Sequence, residues 1–172
     1  NIGYGMCPGF AFDGSATLVE GTLQTEQATL GNKWTADVAF QAFASRSTAN
    51  AVPVFAWHAS GTSIIEIGFY GSLHVTDANK LYAIVRTYNT GSAATTVYTL
   101  IGGTCPFQPM STLISSNAVT RVAVRVIRDG STIKFLDSTG STDSETGVTA
   151  GDVHTAATAW KYGSAALNAS FN

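Results

Sequence analysis

Apolar and polar positions alternate with a period of two along most of this chain. Over positions 34–40, Trp34, Ala36, Val38 and Phe40 fall on one side and Thr35, Asp37 and Ala39 on the other. That is the signature of a strand with one wet face. Over 62–69, Ile65, Ile67 and Phe69 share a side, and Ile64 and Glu66 take the opposite one. Gly71 is then expected to turn the chain, with 72–75 returning as a strand. Over 81–88, Leu81, Ala83 and Val85 oppose Tyr82, Ile84 and Arg86. A further strand at 95–101 is expected to stop at Gly102 and Gly103. In the clearest hairpin, Val122, Val124 and Val126 alternate with Arg121, Ala123 and Arg125. Asp129 and Gly130 supply its turn, and Ile133 and Phe135 lie on the return strand. Arg121, Arg125 and Arg128 are expected on one solvated face or end. Residues 138–152 are rich in Ser, Thr, Gly and Asp and read as an exposed loop, and 113–118 as one short helical turn at most. Many short strands joined by turns predict an all-β fold: a two-sheet antiparallel β-sandwich or jelly roll, as one domain over 1–172.

Composition narrows the functional classes. The chain has 172 residues, 45% hydrophobic, enough for a substantial core. Only 12% of the residues are charged, about half the usual globular share, so Ser, Thr, Gly, Ala and Asn carry much of the surface. Such a composition suits extracellular fibres and virion surfaces. The formal net charge is −2 and the nine basic residues are scattered, which argues against nucleic-acid binding. No apolar run reaches the ~18 residues of a membrane span, and no leader pattern opens the chain. Cys7 and Cys105 admit two states. One is a disulfide closing a long loop, worth on the order of 4 kcal/mol; the other is a pair of buried thiols.

Several segments together resemble laminin-G-like, concanavalin A-like domains. Phe12-Asp13-Gly14 followed by Leu18-Val19-Glu20 resembles the family's opening turn and first strand, and 34–40 its next long strand. The run Ile67-Gly68-Phe69-Tyr70-Gly71-Ser72-Leu73-His74-Val75 is similar to its central hairpin. The stretch from Val122 through Asp129-Gly130 to Phe135 matches its strand, Asp-Gly turn and return strand best. The chain departs from the pattern at Phe135-Leu136-Asp137-Ser138, where the family has Tyr-Val-Asp-Gly. The resemblance implies two curved sheets packed face to face. It also implies lectin, adhesion, phage-fibre or capsid-decoration roles, and calcium in some members.

The chemistry-bearing residues do not assemble into a catalytic pattern. A retaining glycosidase needs two carboxyl groups ~5–5.5 Å apart, which neighbouring inward positions of a strand would supply. Glu66 stands alone in an isoleucine run, Glu20 and Glu26 are separated by Gly21, and Asp143 and Glu145 fall in the polar segment. His58, His74 and His154 lack metal-ligand spacing, and no Gly-x-Ser-x-Gly elbow occurs. No catalytic residue and no resident cofactor are therefore expected. Calcium is the one candidate ion, through Asp13, Asp129 or Asp137, although the first and second also suit turns. Sugar sites combine an aromatic platform with neighbouring polar groups. Trp57, His58, Tyr70, Tyr88, Asn89, Trp160 and Tyr162 are the candidates; Trp34 reads as core. Two functions are expected from different classes. One is a non-catalytic glycan-binding or adhesion module; the other is a structural subunit without a small ligand. The expected partners are glycans for the first and neighbouring subunits for the second, in a homo-oligomer or larger assembly, and both place the chain outside the cytoplasm.

Overall fold

The computed structural model describes residues 18–22, 32–59, 62–88, 95–109, 120–148 and 159–163. Ten strands form in these segments: β1 (Leu18–Thr22), β2 (Lys33–Phe40), β3 (Ala51–Ala59), β4 (Thr62–Tyr70), β5 (Lys80–Tyr88), β6 (Thr95–Thr104), β7 (Val122–Asp129), β8 (Thr132–Asp137), β9 (Thr142–Thr146) and β10 (Ala159–Gly163). They build a six-stranded sheet in the order β1-β10-β3-β4-β5-β6 and a four-stranded sheet in the order β2-β7-β8-β9. Every pairing is antiparallel. The molecule is thus a two-sheet antiparallel β-sandwich.

The period-two pattern becomes the core between the layers. Ile65, Ile67 and Phe69 of β4 and Leu81, Ala83 and Val85 of β5 form one inner face. Val122, Val124 and Val126 of β7, with Ile133 and Phe135 of β8, form the other. All join a single apolar cluster, against which Trp34, Phe40 and Trp57 also pack. On β3 both Val52 and Phe55 are buried in it despite their odd spacing, because the register with β4 shifts between Pro53 and Phe55. Such a bulge reverses the facing of the residues beyond it. Burying the Val, Ile, Leu and Phe side chains stabilises the fold by roughly 1.5–3 kcal/mol each before conformational entropy is counted.

The β7–β8 hairpin turns through Gly130 and Ser131, with Asp129 and Thr132 its last facing pair. Gly130 has φ +62°, the left-handed region that a type II′ turn requires at its first central residue.

Four local expectations are corrected. The residues after Gly71 do not return as a strand: 71–79 make successive turns and the return strand is β5. Gly71 lies against the backbone of Thr48, and the Ser72 and Leu73 amides donate to the carbonyls of Arg46 and Thr48, which holds this segment beside the 45–50 loop. β6 does not stop at Gly102 and Gly103 but runs through them. The polar segment after β8 contains β9, whose Thr142, Ser144 and Thr146 are exposed while Asp143 and Glu145 are half-buried. Arg128 is not solvated with Arg121 and Arg125. It continues the inward stripe of Val122, Val124 and Val126, is 1% exposed, and its Nε donates to the Gly130 carbonyl at 3.3 Å. The segment 113–118 lies outside the described residues.

Adjacent positions on β8 test the facing of the sheet. Ile133→Ala, at a fully buried site, should cost about 2–5 kcal/mol in urea unfolding. Its exposed neighbour Lys134→Ala should change stability by less than ~0.5 kcal/mol.

Candidate functional site

Of the seven residues proposed for ligand contact, four gather on one ladder and Tyr70 stands apart from them. Trp57 and His58 lie on β3, and β10 brings Trp160 to the register position opposite Trp57 and Tyr162 to that opposite Phe55. The ladder therefore unites Trp57, His58, Trp160 and Tyr162, which are distant in sequence, at one place in the large sheet. Trp57 is half-buried and packed on the core, and its indole N–H is buried without a hydrogen-bond partner among the described residues. Tyr70 ends β4, five residues beyond Ile65, the partner of Trp57. That separation is roughly 17 Å along the strand, so Tyr70 does not share a site with the first group. Tyr88 ends β5, its side chain outside the described set, as are Asn89 and Cys7 in full. Cys105 is a buried free thiol whose pKa burial pushes up to about 12.

Around Tyr70 a polar cluster forms that sequence reasoning missed. Glu66 faces away from the inter-sheet core, yet it is only 5% exposed and accepts a 2.6 Å hydrogen bond from the hydroxyl of the fully buried Tyr82. Tyr70 stacks on His74 with ring centroids 4.1 Å apart and lies 4.7 Å from Tyr82. The 71–79 turn holds His74 in place: its Nδ1 accepts the Asp77 amide at 3.0 Å, and Asp77 pairs with Lys80 at 3.1 Å. Burial, and then the Glu66 charge, hold the Tyr82 phenol well above its ordinary pKa. Burial, Asp77 and Glu66 raise that of Tyr70. A hydrogen bond from the Thr76 hydroxyl and another from Lys80 keep the Asp77 carboxyl below the usual range. A phenol so firmly protonated is a hydrogen-bond donor near neutral pH, not a proton shuttle. The one sequence signal was the acidic residue interrupting Ile64, Ile65 and Ile67.

The remaining acidic residues of interest lace the two sheets together. β6 is an edge of the large sheet, and β9 an edge of the small one. Asp143 on β9 accepts the Ile101 amide of β6 at 2.8 Å through Oδ2 and the Ser144 amide at 2.8 Å through Oδ1. Asp137, ending β8, accepts the Gly103 amide at 2.8 Å through Oδ2. Its Oδ1 takes the amides of Thr139 at 2.8 Å and Ser141 at 3.3 Å, and the Thr139 hydroxyl. Gly102 permits this approach: a Cβ there would lie 2.3 Å from Asp137 Oδ2 and 2.6 Å from the Phe135 ring. Of the calcium candidates, Asp137 is thus engaged by backbone donors. Asp129 pairs with Lys33 at 3.3 Å, and Asp13 lies outside the described residues. Among the described residues no three His, Cys, Asp or Glu side chains gather as a metal site would require.

No protein-family model matches this chain, and no curated protein matches it at a significant level.

Two outcomes test this geometry. Asp137→Ala and Gly102→Ala should each cost about 1–3 kcal/mol in urea unfolding, one through unpaired donors and the other through overpacking. The double variant should cost less than their sum, because both act on one contact. Second, stability should fall in alkali. The unfolded thiol and phenol ionise at 9.0 and 10.0, while the folded Cys105 and Tyr82 resist ionisation to higher pH. Their stabilisation is complete below about pH 9 and is lost as pH rises towards 12 and beyond. Tyr82→Phe should make that loss shallower in unfolding measured across the same range.

Proposed function

We propose that this chain is a non-catalytic structural module that acts outside the cytoplasm through its sheet surfaces. One observation carries the reading: six of the described carboxylates, Asp37, Glu66, Asp77, Asp129, Asp137 and Asp143, sit in structural partnerships. Asp137 and Asp143 bind the backbone of β6. Asp37 takes both arms of Arg125, at 2.6 and 2.9 Å. Asp77 and Asp129 pair with lysines, and Glu66 takes the Tyr82 hydroxyl. Groups engaged in this way set the shape of the sandwich. The low proportion of charged residues supports a place in a fibre, a virion surface or another extracellular assembly, with neighbouring subunits as partners. The alternative role, glycan binding, would rest on the Trp57, His58, Trp160 and Tyr162 region that the β3–β10 ladder assembles.

A glycan array read together with a polysaccharide-hydrolysis assay separates these roles. The structural reading predicts no retention of any sugar above background and no turnover. Specific retention abolished by Trp57→Ala would replace it with the lectin reading. Hydrolysis abolished by Glu66→Gln would replace it with an enzyme.

A further inference from the structure

The two sides of the sandwich are finished differently, and the difference points to an assembly edge. On the β6–β9 side, aspartates take up edge amides. Asp143 and Glu145 also turn inward from β9, a common device against strand addition. On the other side the small sheet ends at β2. This strand pairs with β7 from Lys33↔Asp129 to Phe40↔Val122 without a bulge and contains no proline. Its outer edge takes no hydrogen bond from the other described residues.

The hydrogen-bond phase identifies the groups on that edge. The Gly130 amide donates to the Asn32 carbonyl at 2.8 Å, so Asn32 and its even-numbered successors address β7. The Ser138 amide donates to the Ala123 carbonyl at 2.9 Å, which turns the odd residues of β7 towards β8 and confirms the phase. The amides and carbonyls of Lys33, Thr35, Asp37 and Ala39 therefore point away from the sheet. A long, regular edge that no other described strand covers is a template for another strand.

We infer that β2 pairs antiparallel with β2 of a second copy of this chain about a twofold axis at Ala36, making one continuous sheet of two four-stranded halves. The strand is self-complementary in that register. Thr35 faces the second copy's Asp37 and Lys33 its Ala39, each pair exchanging two hydrogen bonds. On the inner face Trp34 meets Val38 and Ala36 meets Ala36, so apolar positions face apolar ones. No like charges stand opposite each other over the seven paired residues 33–39, whereas a register centred on Asp37 sets Asp37 against Asp37 and one centred on Thr35, though it faces Lys33 with Asp37, pairs only residues 33–37 of the strand. Closed twofold pairing of this kind is the commonest form of self-association. The inference stands whether or not the module binds sugars.

Sedimentation and light scattering on the whole chain test it, with two variants. The native chain should run at twice its 17.9 kDa. Thr35→Pro removes an outward amide that β7 does not use, so it should give a monomer with unchanged circular dichroism. Ala36→Cys should cross-link to a covalent dimer under mild oxidant, since facing residues of a non-hydrogen-bonded pair lie ~4.5 Å apart, within disulfide reach. The native chain under the same oxidant is the control for Cys7 and Cys105. A monomeric native chain would overturn the inference. So would a dimer that survives Thr35→Pro with Ala36→Cys uncross-linked, or an association made only with a different protein.

Discussion

Two aspartates reaching from the small sheet to the edge of the large one define this sandwich. Sheets packed through apolar faces can slide, because the hydrophobic effect has no direction. A carboxylate accepting a backbone amide at 2.8 Å has one, and charged acceptors make the stronger hydrogen bonds. Asp137 and Asp143 thus give a non-directional core a fixed alignment along β6. The same contacts satisfy edge amides that would otherwise recruit foreign strands. Gly102 belongs to this arrangement as much as the carboxylates do, since a side chain there would displace the Asp137 carboxylate and the Phe135 ring.

Polar groups elsewhere follow the same principle of local satisfaction. Glu66 is buried on the outer side of the large sheet, where an unpartnered carboxylate would be costly. The Tyr82 hydroxyl answers it, and Tyr70 and His74 stack beside the pair. Arg125 and Asp37 close a bidentate pair across β2 and β7 in the open, where screening by solvent limits its value. These interactions satisfy polar side chains locally, one pair buried on the outer side of the large sheet and one on the open face of the small sheet. Among the described residues β2 keeps an outer edge with no strand beside it, and the inferred pairing rests on that edge.

Much of the fold was legible because burial writes itself as period two. The stripes at 65–69, 81–85 and 122–126, and the Asp-Gly turn, each led to the observed strand. The failures share a cause: where tertiary contacts rather than alternation decide, the local pattern misleads. β9 is Thr-Asp-Ser-Glu-Thr, polar on both faces, and is a strand only because β8 pairs with it and β6 lies beside it. Gly102 and Gly103 look like a terminus but are the clearance for a packed sheet. Arg128 lies on the inward stripe, as its even number implies, yet its charge suggested solvent. The site was less legible than the fold. Trp57 and Trp160 are joined by a ladder that no local signal reveals, while the lone Glu66 among isoleucines was visible but unassigned without Tyr82.

Amide hydrogen exchange on the native protein, resolved residue by residue, tests the lacing most directly. Ile101 and Gly103 are on an edge strand, where exchange should be fast unless the carboxylates hold their amides. The account predicts exchange at both as slow as at Ala83 in the interior of the large sheet. Exchange at the rate of unprotected surface amides would show that the aspartates do not hold the sheets together.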